Sequence, residues 1–480
     1  MFGRTTIYTA YQEITKDNLL DIMKVSIPIY NHNASDIDYL WKYMKGNQPI
    51  LNRVKEVRPE INNKVVENHA FEIVNFLSGY LMGEPCTYVT RSKEESSSEK
   101  IDRLNSYMYA QDKASNDKDL STWFYVCGVG YRMILPDTML SEANEESPFE
   151  IDVLDPRFTF MVYQSDFGHK RMMGVRVITR LNANNQLERL YCGYTKTHYF
   201  ECTENKVEKW KAHALGDIPI YEYRANMAML GSFEPVIPLL DAINNIASNR
   251  LDGVEQFVQA FIKFVNCDID KETFKELREA GAIKIKSTDG QKADVDIVSQ
   301  ELSQNETQTL VDYLYNQVLT ICGLPTTNRS QGGSSDNGVA VILRQGWEQC
   351  EARARDTELL FKKTEKQFLK LALKIIDIKE ELGLKISDVD IKFTRRQHDN
   401  LLTKTQSLMQ MLEAGIKPEI AIATCGLFND PMDIALQSKE YLDRKWKQEN
   451  VQGVDKKMYQ DKANEVQKVE GAENNEQRGN

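Results

Sequence analysis

One apolar stripe limits what this chain can fold into. Trp347, Cys350, Ala354, Thr357, Phe361, Thr364, Phe368, Leu371, Ile375, Ile378 and Leu382 follow one another at steps of three and four and stop before Gly383. The pattern predicts one helix from Val339 to Leu382, roughly 65 Å long at about 1.5 Å per residue. Few monomeric domains need such an element, whereas a narrow continuous stripe suits a helix packed against neighbours in an assembly. The chain around it has 480 residues, enough for about three domains or sub-domains. Hydrophobic residues make up 41% and charged residues 27%, so most of the chain can bury a core.

The rest of the pattern is mixed. To about residue 120 apolar spacing is largely helical, with Val65, Val66, Ala70, Ile73, Val74 and Leu77 on one face and Gly79, Gly83 and Pro85 closing that helix. Residues 92–100 read as a charged, serine-rich loop. From 122 to 224 short runs rich in Val, Ile, Tyr and Phe predict antiparallel strands at Phe124–Leu135, Phe149–Leu154, Thr159–Tyr163, Gly174–Thr179, Leu187–Tyr194 and His198–Cys202, with a hairpin turn at Asn182–Asn185. Helical spacing returns over residues 235–265 and 306–322, the second run ending at Gly323-Leu324-Pro325. Between them lies a small charged unit with a helix at Lys271–Ala280 and strands at Ala282–Lys286 and Val295–Val298. Residues 326–338 form a polar, glycine-rich loop. Beyond the long helix come a strand at Val389–Phe393, helices at Leu401–Glu413, Pro418–Cys425 and Pro431–Gln448, and a polar tail from Val451 that reads as disordered. The fold class is therefore α+β, mainly helical.

Several functions can be weighed on the residues alone. No apolar run approaches the roughly 18 to 20 residues of a bilayer crossing, and Met-Phe-Gly-Arg-Thr-Thr is too polar for a signal peptide. No membrane partner is expected. The eight cysteines are scattered without a Cys-x-x-Cys pair and read as reduced packing thiols. A net charge of −11 argues against a protein that grips nucleic acid through a basic face, but not against one that DNA slides past. Gly333-Ser-Ser-Asp-Asn-Gly338 has the glycine spacing of a phosphate loop, yet Val339 and Ala340 stand where lysine and a hydroxyl are needed. Gly128-Val-Gly130 lacks the third glycine of a dinucleotide fingerprint. The pairs Asp268/Asp270, Asp294/Asp296 and Asp388/Asp390 lie in charged stretches without a neighbouring histidine and read as solvated surface. No catalytic, cofactor-binding or metal residue is assigned, and no cofactor is expected.

Asn62-Asn63-Lys64-Val65-Val66 with Asn68, then Gly79-Tyr80-Leu81-Met82-Gly83-Glu84-Pro85, resembles the early helix and helix-ending motif of siphophage-type portal proteins. Ile218-Pro219-Ile220 with Arg224-Ala225-Asn226 resembles the entry to that family's stem, and Gly415-Ile416-Lys417-Pro418-Glu419 with Asp430-Pro431 its C-terminal helices. The resemblance spans residues 40–448. It implies a portal-type fold with residues 1–234 and 339–400 in the wing, 235–265 and 306–325 in the stem, 266–305 in the clip, 326–338 in the tunnel loop, 401–448 in the crown and 449–480 as a tail. It implies a ring, dodecameric as in the family, through which double-stranded DNA is packaged, retained and ejected at one capsid vertex of a virion assembled in the host cytoplasm. Asn328, Arg329, Ser330, Gln331, Gly332, Gly333, Ser334, Ser335, Asp336 and Asn337 would touch DNA. Lys271, Lys275, Arg278, Lys284, Lys286, Asp289 and Lys292 would dock the terminase large subunit and then the head-tail adaptor. Scaffolding and major capsid proteins are the other implied partners. Two other readings stand beside this one: a metal-dependent nuclease using Asp294 and Asp296, and a different oligomeric scaffold or minor capsid protein.

Overall fold

Strand-forming runs and helical runs alternate along the chain, and each run of one kind pairs mainly within its own neighbourhood. A computed structural model describes residues 3–56, 58–91, 95–137, 147–181, 185–258, 261–265, 294–298, 304–326, 346–394, 401–428, 431, 434–439 and 441. The elements are β1 (Ile7–Thr9), α1 (Leu19–Met44), α2 (His69–Met82), β2 (Thr87–Thr90), α3 (Glu95–Ala110), α4 (Lys113–Cys127), β3 (Val129–Pro136), β4 (Phe149–Leu154), β5 (Thr159–Gln164) and β6 (Arg171–Leu181). Then follow β7 (Leu187–Tyr194), β8 (His198–Cys202), β9 (Val207–Ala212), β10 (Ile220–Arg224), α5 (Ile237–Val258), β11 (Phe261–Val265), β12 (Asp294–Val298), α6 (Gln304–Cys322), α7 (Trp347–Lys379), β13 (Val389–Lys392), α8 (Leu401–Glu413) and α9 (Pro418–Cys425). Among the described residues no helix is long and apolar enough to cross a membrane.

The chain divides into two units. The first comprises Met1–Gly83, Ser115–Pro136 and Phe149–Ala372. Its larger sheet has the order β1-β5-β6-β7-β8-β9, antiparallel throughout except for the parallel pair β1 and β5. Alternation places Phe160, Val162, Val175, Val177, Tyr191 and Phe200 on one face, where Ile22, Met23, Ile27 and Tyr30 of α1 cover them. A second sheet, β10-β3-β4, carries the buried Tyr131, Met133, Tyr221 and Tyr223. The second unit comprises Glu84–Ala114, Asp137–Pro148 and Leu373–Asn480. In it β13 pairs antiparallel with β2, and Asn105 of α3 donates to and accepts from the backbone of Tyr88. Tyr107 and Arg103 of α3 both donate to Glu380.

Strands β4 to β8, helices α8 and α9 and the helix stops at Gly323, Gly415 and Gly426 stand where apolar periodicity and glycines place them; all three glycines have positive φ. Five expectations need correction. Residues 95–100, expected in the serine-rich loop 92–100, open α3 instead, because the buried stripe Ile101, Leu104, Tyr107 and Met108 carries its helical period back over them. Phe124–Cys127 belongs to α4, and the strand begins only at Val129. The break is Gly128, with φ +83, which passes so close to the 229–230 backbone that a Cβ there would stand 2.1 Å from the Met229 carbonyl oxygen. Phe261 and Val265 continue the helical spacing of α5 but lie in β11, where β12 satisfies their backbone; a short apolar run suits either period. Val65 and Val66 precede α2, because their segment is hydrogen-bonded to α5 instead. The long helix is described from Trp347 and ends at Lys379, three residues short of the expected stop. Strands β1, β2, β9 and β10 were not singled out from alternation. The seven described cysteines are buried, and none of them is in a disulfide.

Gly128→Ala and Gly168→Ala separate steric from conformational cost. Both glycines have positive φ, but nothing lies within 4 Å of a Cβ at Gly168. Urea unfolding should show Gly168→Ala losing about 1–2 kcal/mol of backbone strain and Gly128→Ala losing clearly more; equal losses would refute the close approach at Met229.

Candidate functional site: the root of the helical hairpin

Helices α5 and α6 form an antiparallel hairpin whose tips are joined through the paired strands β11 and β12. At its root α5 carries Asn244, Ser248 and Asp252, spaced by four and so on one face, each at most 2% exposed. Asn244 Oδ1 accepts from Glu67 N at 2.8 Å, Ser248 Oγ from Val65 N at 3.0 Å and Asp252 Oδ1 from Asn63 N at 2.8 Å. Alternate residues of an extended segment thus run antiparallel to every fourth residue of a helix. The fit is metric: two extended residues rise about 6.6 Å and four helical residues about 6.0 Å. Three of the segment's donors, at Asn63, Val65 and Glu67, are thus satisfied without a strand partner.

Asp252 is the charged end of this ladder. Lys55 and Arg53 both face its Oδ2, Arg53 at 3.2 Å, and Asn63 donates through its side chain as well. Burial pushes the Asp252 carboxyl up, but the Lys55 and Asn63 hydrogen bonds and the Lys55 charge outweigh that and hold it below the ordinary range. At the other end Asn244 donates to Gln48, which donates to Asn68, which donates to Met44 O. The ladder therefore locks α1, the 62–68 segment and α5 together.

Off the ladder face the hairpin loses cover. On α6, Val318, Leu319 and Cys322 are buried, whereas Leu310 and Tyr313 are 47% and 59% exposed; on α5, Leu251 and Val254 are each 42% exposed. Arg250 donates to Gln308 across the pair at 2.7 Å.

The far side of the root is where α6 ends and α7 begins. Leu324 N donates to Leu319 O and Gly323 N to Thr320 O, closing α6 in a Schellman-type turn. Arg353 of α7 lies against Gly323 and donates to Ile321 O at 2.6 Å. A positive side chain at a helix C-terminus meets the carbonyls that the helix leaves unpaired. Beside it lies a cleft of about 300 Å³ walled by Leu77, Tyr80, Leu230, Ile321, Cys322 and Ala354. The first turn of α7 is held by Tyr80, which donates to Glu351 at 2.9 Å. Further along, Thr357 and Thr364 donate to the carbonyls of Ala225 and Glu222. Arg132 of β3, fully buried, ion-pairs with Asp117 of α4 and Glu365 of α7, and stacks over Tyr223 and Phe368. This cluster fixes α7 to the three-stranded sheet.

His69 opens α2 between Glu72, 2.8 Å away, and Glu67, 3.2 Å away, with its ring 4.5 Å from that of Tyr315. Tyr315 of α6 donates to Glu72 at 2.7 Å. Burial lowers the His69 pKa, but the hydrogen bonds to the two carboxylates prevail and raise it; Glu72 is held low, chiefly by its hydrogen bond to His69.

The expected loop residues 328–337 lie outside the described residues, as do Lys271, Lys275, Arg278, Lys284, Lys286, Asp289 and Lys292 and the pair Asp268/Asp270. Asp294 and Asp296 are placed as backbone of β12. Asp388 accepts from Lys385 N, and Asp390 pairs with Lys392; among the described residues no carboxylate, histidine or cysteine cluster has metal-binding geometry. The polar ladder, Arg132 and Arg353 were not singled out from sequence. The ladder did leave a signal, Asn244, Ser248 and Asp252 at constant spacing beside the apolar stripe of α5. Arg132 and Arg353 left none, because their partners come from distant segments.

The described residues form an α+β body with a helical hairpin and a long anchored helix. The chain belongs to the phage portal protein family of the SPP1 Gp6-like type, whose sequence model matches residues 23–459. It is a portal protein by family, and that family is structural. No curated protein matches the chain. Similar solved structures include the neck of an empty gene transfer agent particle computed with C6 symmetry, at 11% identity and TM-score 0.45, covering 75% of this chain and 90% of that one. The native particle's neck computed with C12 symmetry gives the same values. A subunit of the native virion is 12% identical at TM-score 0.43, over 82% of this chain and 94% of that one. At these scores the likenesses carry no argument.

Two predictions follow from the root. Asp252→Ala, which leaves Lys55 and the Asn63 N–H without their shared acceptor, should cost about 3–5 kcal/mol in urea unfolding, and Ser248→Ala about 1–2 kcal/mol. A loss under half a kcal/mol for Asp252→Ala would rule out the ladder. The His69 contribution is present below its unfolded pKa of about 6.5 and lost as pH rises through its raised folded value. The Glu72 contribution is present above about 4.3 and lost as pH falls. Hydrogen exchange of α2 should therefore be slowest relative to its intrinsic rate between those limits, and His69→Gln should flatten its alkaline side.

Proposed function

We propose that copies of this chain close into a ring of about a dozen subunits around a passage for double-stranded DNA at one capsid vertex. Family membership is the observation that carries the reading; the α5/α6 hairpin supports it, since helices with exposed apolar residues at Leu251, Val254, Leu310 and Tyr313 suit neighbours on both sides. In this reading residues 1–234 and 339–400 are the wing, 235–265 and 306–325 the stem, 266–305 the clip, 326–338 the tunnel loop, 401–448 the crown and 449–480 the tail. Residues 328–337 touch DNA weakly enough for it to slide, in keeping with a net charge of −11. Lys271, Lys275, Arg278, Lys284, Lys286, Asp289 and Lys292 dock the terminase large subunit during packaging and the adaptor afterwards, and scaffolding and major capsid proteins meet the ring from outside. The passage itself does no chemistry: the ATP-driven work belongs to the terminase.

Native mass spectrometry with electron-microscope class averages tests the ring. A hollow particle of about twelve 55.2 kDa subunits is expected; a monomer or compact dimer in the presence of scaffolding protein would overturn the reading. Tyr313→Glu combined with Leu251→Glu should abolish the ring while leaving circular dichroism and the urea midpoint of the subunit nearly unchanged, since both positions are already exposed. Deleting residues 331–337 should leave the ring intact and impair DNA packaging or retention. Failure of that variant to assemble would make the loop structural.

A further inference from the structure

Strand β1 and residues 4–6 line a small, partly open cavity of about 20 Å³, walled by Arg4, Ile7, Val129, Thr159, Glu222 and Met229 among others. Arg4 is 5% exposed and Thr159 2%. The Arg4 guanidinium donates through Nη2 to Glu234 Oε1 at 2.8 Å, with Asp36 3.9 Å away. Among the described residues its Nε and Nη1 meet no acceptor, and Thr159 Oγ1 meets no partner. Three guanidinium N–H groups and one hydroxyl are therefore buried around the same space without protein partners, an arrangement that costs about 1–3 kcal/mol per group if nothing fills it.

We propose that this cavity is a built site for one structural water, which accepts hydrogen bonds from Arg4 and is bonded to Thr159 Oγ1. The size fits, since a water needs roughly 10–15 Å³ of such volume and two to four polar partners. The charges select water over ions. An anion would face the carboxylates of Glu222, Glu234 and Asp36, and a cation would face Arg4. An apolar occupant would leave the guanidinium unsatisfied.

The consequence reaches α5. Glu234, the acceptor of Arg4, also accepts from Gly3 N at 3.3 Å and Gly231 N at 2.9 Å, and lies in the 3₁₀ turn Glu234–Val236 that leads into α5. Arg4 N donates to Met229 O at 3.2 Å. Water on the free side of the guanidinium holds Arg4 in place against Glu234, so the N-terminal segment, the start of β5 and the entry to α5 share one hydrogen-bonded node.

The test is a crystal structure of the full chain at about 1.8 Å or better, where waters of this kind are routinely seen, grown once in chloride and once in bromide. The proposal expects one spherical peak within hydrogen-bond distance of both Arg4 and Thr159 Oγ1 in every subunit, without anomalous signal in bromide. Arg4 turned onto a protein acceptor with no peak, or a bromide signal in the cavity, overturns it. Thr159→Val gives an independent reading. If the water is there, the near-isosteric change removes one of its partners and lowers the melting temperature by a few degrees; if it is not, removal of an unpaired buried hydroxyl leaves that temperature unchanged or raises it, and the proposal fails.

Discussion

An extended segment buried against a helix has a problem that a strand in a sheet does not: its N–H groups point at an element whose own backbone is already fully bonded. In this chain the 62–68 segment crosses α5, and the three acceptors come from side chains, Asn244, Ser248 and Asp252. The arrangement works because four residues of helix and two of extended chain have nearly the same rise. Everything that meets at the root of the hairpin depends on this match. It sets where α1 and α2 end and begin relative to α5, and it places Arg53 and Lys55 on the one carboxylate that would otherwise be a buried uncompensated charge.

The second constraint is the anchoring of α7. A helix of 33 residues is about 50 Å long, and its apolar stripe alone allows it to slide or rotate over a flat sheet. Directional contacts remove that freedom. Thr357 and Thr364, seven residues apart, hold carbonyls of Ala225 and Glu222, and Glu365 meets Arg132 in a fully buried pair. Such a pair contributes little net stability against an apolar substitute, but misregistration would leave its charges uncompensated, so it specifies position. Arg353 ties the same helix to the end of α6, and so sets how far apart the two ends of the intervening chain stand.

Much of the secondary structure was legible from local pattern: β4 to β8 from alternation, α6, α8 and α9 from three-and-four spacing with glycine stops. The errors fall where a short apolar run satisfies two periods at once, as at Phe124–Cys127 and Phe261–Val265. The candidate site was less legible. Motifs such as Asn62-Asn63-Lys64-Val65-Val66 pointed to the right segment, yet its helical spacing at Val65 and Val66 concealed that the backbone there is bonded to α5.

The family, the α+β class, the strands β4 to β8 and the long helix were determined by the sequence itself, because apolar period, glycine placement and local motifs act over a few residues and survive in one dimension. The ladder, the Arg132 cluster, the Arg353 clasp and the Arg4 node were decided only by tertiary structure. Asn63 meets Asp252, Arg132 meets Glu365 and Arg4 meets Glu234 across separations of 189, 233 and 230 residues. A polar side chain carries no mark of which distant partner will neutralise it; that choice exists only once packing has brought the two together in a space from which water is excluded.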